Sequence, residues 1–267
     1  MNSDLFAVRS ILFLPASNPR AIVKARESKA DFVVLDLEDA VRPEDKAGAR
    51  KAAVEAVASE WPMPVAIRVN GVGSEWHSLD VDSVARATCA FAVLPRATSA
   101  HLVREVREAL DKPVLAMIET AAGVLAAPAI AREAAALIAG TNDLRADLRL
   151  PLGATREPIS ASLQLIVLAS RAAGIPAFDG VFNKLNDSEG FVAEAEDGRQ
   201  LGFDGKSVIH PDQIEPCNRA FGPSAVEVDR ARRLVDAFSG GAERFEDQMI
   251  ERMHVEAARR VLERGGA

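Results

Sequence analysis

The stretch that decides the fold is Phe32-Val33-Val34-Leu35-Asp36-Leu37-Glu38-Asp39-Ala40, where an apolar run ends in three carboxylates. Runs of this kind are typical of strands buried on both faces, as in a parallel sheet covered by helices. Acids at the carboxyl end of such a strand repel one another and add nothing to packing, and α/β proteins keep their sites at this position. Glu38 or Asp39 alone has a simpler interpretation as a helix cap, but the cluster as a whole favours a functional site.

The same apolar pattern recurs along the chain. The predicted strands are 10–15, 32–37, 65–70, 91–96, 114–120, 136–143, 175–182 and 206–210. Stretches rich in Ala, Arg and Glu with helical period lie between them, for example 19–29, 43–59, 98–110, 123–135 and 159–173.

Eight strands alternating with helices predict an α/β protein with a (β/α)8 TIM barrel. A doubly wound open sheet is the competing architecture, but it usually carries G-x-G-x-x-G after its first strand, where this chain has Pro15-Ala16-Ser17-Asn18-Pro19. We expect the barrel to span residues 1–238. A Gly-Gly break at Gly240 and Gly241 should separate it from a C-terminal helical extension or lid, residues 239–267, with its helix at 251–264.

Composition agrees with one barrel and a tail. The 267 residues are 48% hydrophobic and 27% charged, and no apolar run has membrane length. The N-terminus lacks the features of a secretory leader, so we expect a cytoplasmic protein with no membrane partner. Cys89 and Cys217 form no metal or redox motif and are expected to be reduced. The net charge of −7 argues against a nucleic-acid partner.

Polar side chains mark the ends of the predicted strands. Because the carboxyl ends of barrel strands meet at one mouth, these residues are expected to converge on one enzyme site. They are Asp36, Glu38, Asp39, Arg68, Asn70, Arg96, Glu119, Thr120, Asn142, Asp143, Asp179 and His210.

Glu119 and Asp143 end neighbouring predicted strands, so their carboxylates can meet on one cation. Two carboxylates completed by water and substrate oxygens are a usual set of ligands for Mg²⁺, with Mn²⁺ as an alternative. Two structural interpretations remain open: Glu119 pairs with Arg68 or Arg96, or Asp143 caps the next segment. Zinc is disfavoured because the sequence has no His/Cys cluster, and His210 is expected to fix a loop by a hydrogen bond.

Arg68, beside this predicted metal site, suits the capture of a substrate carboxylate or the polarisation of a keto oxygen. A metal and an Arg around an oxo-acid indicate enolate chemistry, in which a carbon–carbon bond forms or breaks. No Lys is predicted inside the barrel, so an imine-forming aldolase is disfavoured.

Eight blocks of sequence, in order, resemble the citrate lyase beta-subunit-like acyl-CoA lyases of the acid aldolase family. They are 9–20, 24–41, 46–50, 67–70, 117–125, 140–148, 201–214 and 249–262. The resemblance implies a trimer-forming barrel with a lid, in which Glu119 and Asp143 bind Mg²⁺ and Arg68 binds the oxo-acid. It places Asp36 and Glu38 in the catalytic site. Arg20 and Lys24 are then expected to approach coenzyme A.

The implied reaction is cleavage or formation of a 3-hydroxyacyl-CoA, such as citryl-CoA or malyl-CoA. The products of cleavage are an oxo-acid, oxaloacetate or glyoxylate, and acetyl-CoA. The partners are the small-molecule substrate, further copies of the chain in a homotrimer or hexamer, and companion lyase subunits. Two alternatives stand beside this: a coenzyme A-independent, metal-dependent aldolase acting on small 2-oxo acids, and a lyase-complex subunit without independent activity.

The C-terminal extension departs from the family pattern. Glu251 stands where the family places an Asp that reaches the neighbouring subunit's site, and we expect Glu251 to act there as proton donor or water-orienting group. Asp247 and Gln248 replace a Gly-Lys pair. The resulting acidity should disfavour a polyanionic coenzyme A ester.

Overall fold

Eight parallel strands close into a single barrel in the computed structural model, which describes residues 5–266. Strand β1 pairs with β2 on one side and with β8 on the other, so the sheet has no edge. The predicted (β/α)8 TIM barrel is therefore confirmed. Its strands are β1 Ser10–Pro15, β2 Phe32–Asp36, β3 Val65–Arg68, β4 Phe91–Leu94, β5 Val114–Ile118, β6 Ala136–Ala139, β7 Ala177–Asp179 and β8 Gly205–Val208.

Alternation along each strand sorts side chains into an inner and an outer set. The barrel interior is packed with apolar residues, among them Phe32, Val34, Ala66, Leu115, Met117, Ile138 and Phe178. The intervening residues, such as Val33 and Leu35, are equally buried under the helices. Burial on both faces explains why the strands are continuous apolar runs rather than alternating ones.

Nine α-helices follow the strands in the barrel part of the chain. Asn18, Ser99 and Thr120 cap three of them, because each side chain accepts a hydrogen bond from a backbone N–H of the first turn. They are α1 Pro19–Arg26, α2 Lys46–Val57, α3 His77–Ala85, α4 Ala100–Leu110, α5 Ala121–Ile130, α6 Thr141–Asp147, α7 Ser160–Ala173, α8 Ser188–Leu201 and α9 Ile214–Phe221.

Several predicted strands extend too far at their carboxyl ends. Strand β6 stops at Ala139 and α6 begins at Thr141, so Asp143 lies in the first turn of a helix rather than at the end of a strand. Strand β5 likewise stops at Ile118, one residue before Glu119. The polar residues in question come after the last paired residues of each ladder.

A second compact unit begins at Arg219. It contains α10 Ala225–Ala237, an antiparallel hairpin of β9 Glu243–Phe245 and β10 Gln248–Ile250, and α11 Arg252–Arg264. The predicted boundary at residue 238 falls inside this C-terminal unit, because α10 shares one apolar cluster with the hairpin and α11. That cluster contains Ala231, Leu234, Phe245, Ile250, Val255 and Ala258.

Within residues 5–266, no helix is long and apolar enough to cross a membrane.

Candidate active site

A cavity of about 340 Å³ opens at the carboxyl end of the barrel. Its wall brings together residues from most of the strands, as the sequence predicts for a barrel mouth. The charged and polar lining residues are Asp36, Asp39, Arg68, Glu119, Thr141, Asn142, Asp143, Asn183 and Ser207.

Arg68 is held in place by Asp36. The guanidinium Nε and Nη2 each donate a 2.6 Å hydrogen bond to one oxygen of Asp36, and both side chains are buried. The same carboxylate accepts the backbone N–H groups of Glu38 at 2.8 Å and Ala40 at 3.1 Å. Four donors therefore occupy Asp36, and this geometry suits an orienting role for Asp36 rather than proton transfer.

Glu38 and Asp39 lie at the remaining side of the Arg68 guanidinium. Nη1 of Arg68 is 2.9 Å from Oε2 of Glu38 and 3.8 Å from Oδ2 of Asp39. Burial raises the pKa of Glu38 to about 8; Arg68 opposes that shift, while Asp39 and Glu119 add to it. Burial on its own would lower the pKa of Arg68, but Asp36, Glu38 and Asp39 raise it well above its ordinary value, so Arg68 stays charged.

Glu119 is positioned by the backbone around it. Its Oε1 accepts a 2.6 Å hydrogen bond from the N–H of Arg96, whose φ of 49° lies in the left-handed region. A Cβ at Gly140 would collide with the Glu119 side chain, so only glycine leaves room for this carboxylate. Burial raises the pKa of Glu119 to about 7, against the Arg96 hydrogen bond and with a contribution from Asp143.

Asp143 is half-buried in the first turn of α6, with Oδ1 3.7 Å from Nη1 of Arg96. Burial and then Asp39 raise its pKa above the ordinary value. Of the alternatives left open by the sequence, Glu119 does contact Arg96, through the backbone N–H. Asp143 does not cap α6, whose N-cap is Gly140, and contacts the Arg96 side chain instead.

The donor set fits a hard divalent cation. Around the mouth, the acids Asp36, Glu38, Asp39, Glu119 and Asp143, together with Arg68, form what we call the mouth cluster, with Arg96 and Lys46 as further cations nearby. The five acids outnumber the three cations Arg68, Arg96 and Lys46, and burial is the main cause of the raised pKa values of Glu38, Glu119 and Asp143. In the described part of the chain, no group of three or more His, Cys, Asp or Glu side chains is placed to hold a metal ion. A cation at Glu119 and Asp143 would therefore take its other ligands from water and substrate, as Mg²⁺ commonly does.

A buried polar network supports the loop that carries Glu38 and Asp39. Nζ of Lys46 donates to the carbonyl oxygens of Leu37 at 2.7 Å and Glu38 at 2.8 Å, and to Oδ1 of Asn70 at 2.6 Å. Asn70 in turn donates to Asp80, which is fully buried and also binds Arg50. The predicted strand-end residue Asn70 therefore belongs to this support and not to the lining of the cavity.

Three polar cavity residues, Thr141, Asn183 and Ser207, escaped the sequence analysis. Thr141 and Ser207 are each 2% exposed, and within residues 5–266 neither hydroxyl has a hydrogen-bond partner. Ser207 sits in the middle of a predicted strand, and Thr141 precedes the predicted acid by two residues. A short polar side chain within an apolar run was the available signal for both.

Asp179 is a predicted mouth residue that the structure places elsewhere. It faces out of the barrel toward α8, because the inward positions of β7 alternate with it and Phe178 fills the interior. There it binds Lys206 at 2.8 Å and Arg156 at 2.9 Å. We call this group the outer cluster; its members are Arg156, Asp179, Glu194, Lys206 and the exposed Asp197.

Lys206 is fully buried but also faces outward, which agrees with the prediction that no Lys lies inside the barrel. His210 accepts a hydrogen bond from the N–H of Asp212 and caps a short 3-10 helix, Pro211–Gln213, as a loop-fixing residue would.

The three remaining predicted residues lie outside the cavity lining. Arg20 and Lys24 are exposed on α1, and Arg20 lines a surface cleft with Arg42 and Ala40, the last of which also lines the cavity. Glu251 is exposed in the C-terminal unit at the N-terminus of α11, where its N–H donates to Nδ1 of His254.

A closed parallel barrel with an oriented Arg beside paired carboxylates at its carboxyl-end mouth defines an enzyme of the TIM-barrel class. Residues 9–211 match the model of the HpcH/HpaI aldolase/citrate lyase family. The chain belongs to this family, and the prediction of a citrate lyase beta-subunit-type lyase is confirmed.

Individual relatives are similar over nearly their whole length. A (3S)-malyl-CoA thioesterase of Cereibacter sphaeroides is 37% identical, across 97% of this chain and 95% of the relative. The citrate lyase subunit beta of Haemophilus influenzae is 34% identical, across 96% of each chain. Among solved structures, CitE from Mycobacterium tuberculosis in complex with magnesium, acetoacetate and coenzyme A superposes with a TM-score of 0.88 at 33% identity. That match covers 98% of this chain and all of the other.

Proposed function

We propose that this protein is a Mg²⁺-dependent carbon–carbon lyase that cleaves or forms a 3-hydroxyacyl-CoA, with an oxo-acid and acetyl-CoA as the smaller partners. The single observation that carries the proposal is the mouth cluster. There an Arg oriented by Asp36 lies in the same cavity wall as Glu119 and Asp143. The similarity to CitE, solved with magnesium, acetoacetate and coenzyme A, supports the same chemistry.

Arg68 is the group that meets the developing negative charge. Its Nε and Nη2 are committed to Asp36, so the oxygen of the substrate approaches the Nη1 side, where Glu38 lies at 2.9 Å. Glu38 must yield this position to an anionic oxygen. Its raised pKa means that it can do so as a neutral acid. The four hydrogen bonds to Asp36 keep the guanidinium from turning while this exchange takes place.

Glu119 and Asp143 would hold the cation, and Gly140 and the Arg96 N–H fix the direction of the Glu119 carboxylate. A bound Mg²⁺ supplies Lewis-acid stabilisation of an oxygen on the oxo-acid. The protein's own part is to hold the Glu119 carboxylate in one direction and, through Asp36, to keep the charged Arg68 guanidinium in a fixed orientation.

The coenzyme A portion has a candidate path on the surface. The cleft lined by Arg20 and Arg42 adjoins the cavity at Ala40, and guanidinium groups suit phosphate oxygens. Lys24 lies on the same helix, α1, as Arg20. We therefore propose that Arg20 and Lys24 contact the coenzyme A portion of the substrate.

We also propose that the active form is a homo-oligomer, a trimer or hexamer, in which Glu251 of one chain approaches the mouth cluster of the next. The support is that Glu251 is an exposed acid at a helix N-terminus, where a neighbouring chain can reach its carboxylate. Mixing the inactive variants Glu119→Gln and Glu251→Gln should restore part of the activity, because hybrid oligomers would contain intact composite sites. Verified hybrids without any activity would contradict the shared site.

A second candidate is thioester hydrolysis of a 3-hydroxyacyl-CoA, favoured by the 37% identity to the malyl-CoA thioesterase. One assay separates the candidates: citryl-CoA and malyl-CoA are incubated with the protein and Mg²⁺, and acetyl-CoA and free coenzyme A are quantified. Carbon–carbon cleavage releases acetyl-CoA and an oxo-acid, whereas hydrolysis releases free coenzyme A and a hydroxy acid.

We expect acetyl-CoA release that chelation of Mg²⁺ abolishes and its return restores. Free coenzyme A without acetyl-CoA would favour the thioesterase. Turnover of small 2-oxo acids without any coenzyme A ester would favour the independent aldolase, and inactivity without added subunits would favour a component of a lyase complex.

A further inference from the structure

The loop that carries Glu38 and Asp39, which we call the acidic loop, is held through both kinds of backbone group. Its N–H groups face β2, where Asp36 accepts the N–H of Glu38 at 2.8 Å. Its carbonyl groups are held by α2, where Nζ of Lys46 donates to the oxygens of Leu37 at 2.7 Å and of Glu38 at 2.8 Å. Two different elements therefore fix the backbone of one short segment.

The ammonium group of Lys46 is fully engaged. It has three hydrogens to donate, and its third partner is Oδ1 of Asn70 at 2.6 Å. The centroid of the Trp76 ring lies 4.9 Å from Nζ, in a cation–π contact. Only 6% of Lys46 is exposed. The charged end of the side chain is therefore held in one position.

Asn70 joins this contact to the strand that carries Arg68. Asn70 follows β3, and its Nδ2 donates to the carbonyl oxygen of Leu37 at 2.9 Å. The N–H of Leu37 donates to the carbonyl oxygen of Arg68 at 3.0 Å. Lys46 and Asn70 thus fix the backbone of the acidic loop relative to the backbone of Arg68.

The three oxygens that Lys46 binds are all neutral. Buried cations are usually paired with a carboxylate, because burial of an unpaired charge costs stability. Burial accordingly lowers the pKa of Lys46, against the attraction of Asp36 and Glu38. Groups that are buried at such a cost are concentrated at functional sites.

We propose that Lys46 is a positioning residue for the lyase reaction, and that it holds the backbone of the acidic loop so that only the Glu38 side chain moves when substrate reaches Arg68. This inference rests on the proposed function, in which an anionic oxygen of the substrate displaces Glu38 from Nη1 of Arg68. Without Lys46, a displaced Glu38 would draw its own N–H away from Asp36, the residue that orients the guanidinium. Lys46 acts through the loop and not on the substrate.

The test is a double-mutant cycle between Lys46 and Glu38. Lys46→Met removes the charge and the donors at similar side-chain length, and Glu38→Ala removes the side chain that has to move. kcat/KM is measured at saturating Mg²⁺, below the melting temperature of every variant, for whichever of citryl-CoA and malyl-CoA the wild type cleaves. Because residues of one network couple, Lys46→Met should lower kcat/KM by ~10-fold in the wild-type background and by less than about two-fold beside Glu38→Ala.

Hydrogen–deuterium exchange follows the backbone without any turnover. In Lys46→Met, the amide of Glu38 should exchange at least ~10-fold faster than in the wild type, because the loop can open locally. Where Lys46→Met melts early, Lys46→Arg takes its place in both measurements. It keeps the charge and the donors, and its kcat/KM should lie between the values for the wild type and Lys46→Met.

Arg50 provides the matched control, because it lies one turn further along α2 and donates to Asp80 at 2.6 Å rather than to the acidic loop. Arg50→Gln removes a cation from the same helix. It should leave kcat/KM and the exchange rate of the Glu38 amide within about two-fold of the wild-type values.

The outcomes are distinct. Equal losses from Lys46→Met in both backgrounds, or no loss in either, would overturn the positioning role while leaving the proposed lyase intact. An equal loss in Arg50→Gln would also overturn it, since α2 would then support the fold in general. A wild type that cleaves neither ester in the presence of Mg²⁺ would overturn the proposed function, and the positioning role with it.

Discussion

Two ionic clusters lie in different parts of the barrel, and they behave differently. The mouth cluster is carried by β2, β3 and the segments after β5 and β6, and the outer cluster by β7, β8, α8 and Arg156. In the outer cluster, complete burial opposes ionisation of Asp179, yet Lys206 and Arg156 hold its pKa below the ordinary value. In the mouth cluster, burial raises the pKa of Glu38 to about 8 and of Glu119 to about 7, even though Arg68 is close to both. In the outer cluster, the cations outweigh the effect of burial and keep Asp179 in its charged form. In the mouth cluster, they do not offset the effect of burial on Glu38 and Glu119.

The difference shows that buried charge by itself does not identify a site. Asp179 and Glu119 follow similar apolar runs in the sequence, and both are buried. What separates them is the side of the strand from which they project and whether the protein supplies enough opposite charge. The mouth cluster has more carboxylates than cations, and a metal ion can balance them. The outer cluster instead links β7 and β8 to α8 through ion pairs.

The largest expected effect tests this distinction directly. Glu119→Gln and Asp143→Asn should each weaken Mg²⁺ binding by more than about 100-fold and abolish metal-dependent binding of oxo-acids. The unfolding free energy should be unchanged or higher, because each substitution removes a carboxylate whose charged form burial disfavours. Titration calorimetry and urea denaturation measure the two quantities. Variants that still bind Mg²⁺ within a few-fold of the wild type would show that the ligands are assigned wrongly.

Asp179→Asn should have the opposite profile. It leaves Lys206 and Arg156 buried with one partner fewer, and breaking a buried ion pair typically costs about 3–5 kcal/mol of stability. Mg²⁺ affinity of the folded protein should stay close to the wild-type value, since Asp179 faces away from the cavity. If Mg²⁺ affinity fell together with stability, the two clusters would not be functionally independent.

Arg68→Lys should lie between these two extremes. An ammonium cannot make both hydrogen bonds to Asp36 and still face the substrate. We therefore expect kcat/KM to fall by an amount that corresponds to roughly 2–5 kcal/mol of lost transition-state stabilisation. Steady-state kinetics at saturating Mg²⁺ provide the measurement. Unchanged kinetics would mean that Arg68 serves only as a structural partner of the acids.

The smallest effect is a pH dependence of the metal-free protein. Between about 4.5, the ordinary pKa of the group, and about 8, the folded state keeps a proton on Glu38 that the unfolded state releases. The stability of the folded state should therefore fall as pH rises through this window, by a few kcal/mol at most. Thermal melts from about pH 5 to about pH 8 in Glu38→Gln should show a shallower slope than the wild type. An equal slope in both would assign the effect to another group.

The sequence predicted the barrel because its signal is local and repeated: each strand is an apolar run, and each is followed by a helical stretch. It also predicted that Arg68, Glu119 and Asp143 meet at the mouth, although Asp143 lies in a helix and not at a strand end. It could not predict that Asp179 points outward, since a shift of one residue in strand phase reverses every side chain of a three-residue strand. It placed the domain boundary at the glycines, whereas apolar contacts between α10 and α11, which no local pattern reveals, assign α10 to the C-terminal unit.

The sequence also could not predict the buried network that supports the acidic loop. Lys46 lies in a helical stretch whose composition suggests solvent exposure, yet its Nζ holds two carbonyl oxygens of the acidic loop. Thr141 and Ser207 line the cavity and lack a hydrogen-bond partner within residues 5–266, and both facts depend on three-dimensional packing.

Gly140 turns the geometry of the mouth into a mark that can be read in related chains. Any side chain at this position would overlap both the Cβ and the carboxylate of Glu119, so a related chain that keeps the glutamate in this geometry must also keep the glycine. A related chain with a larger residue at this position should therefore hold its carboxylate differently or lack it.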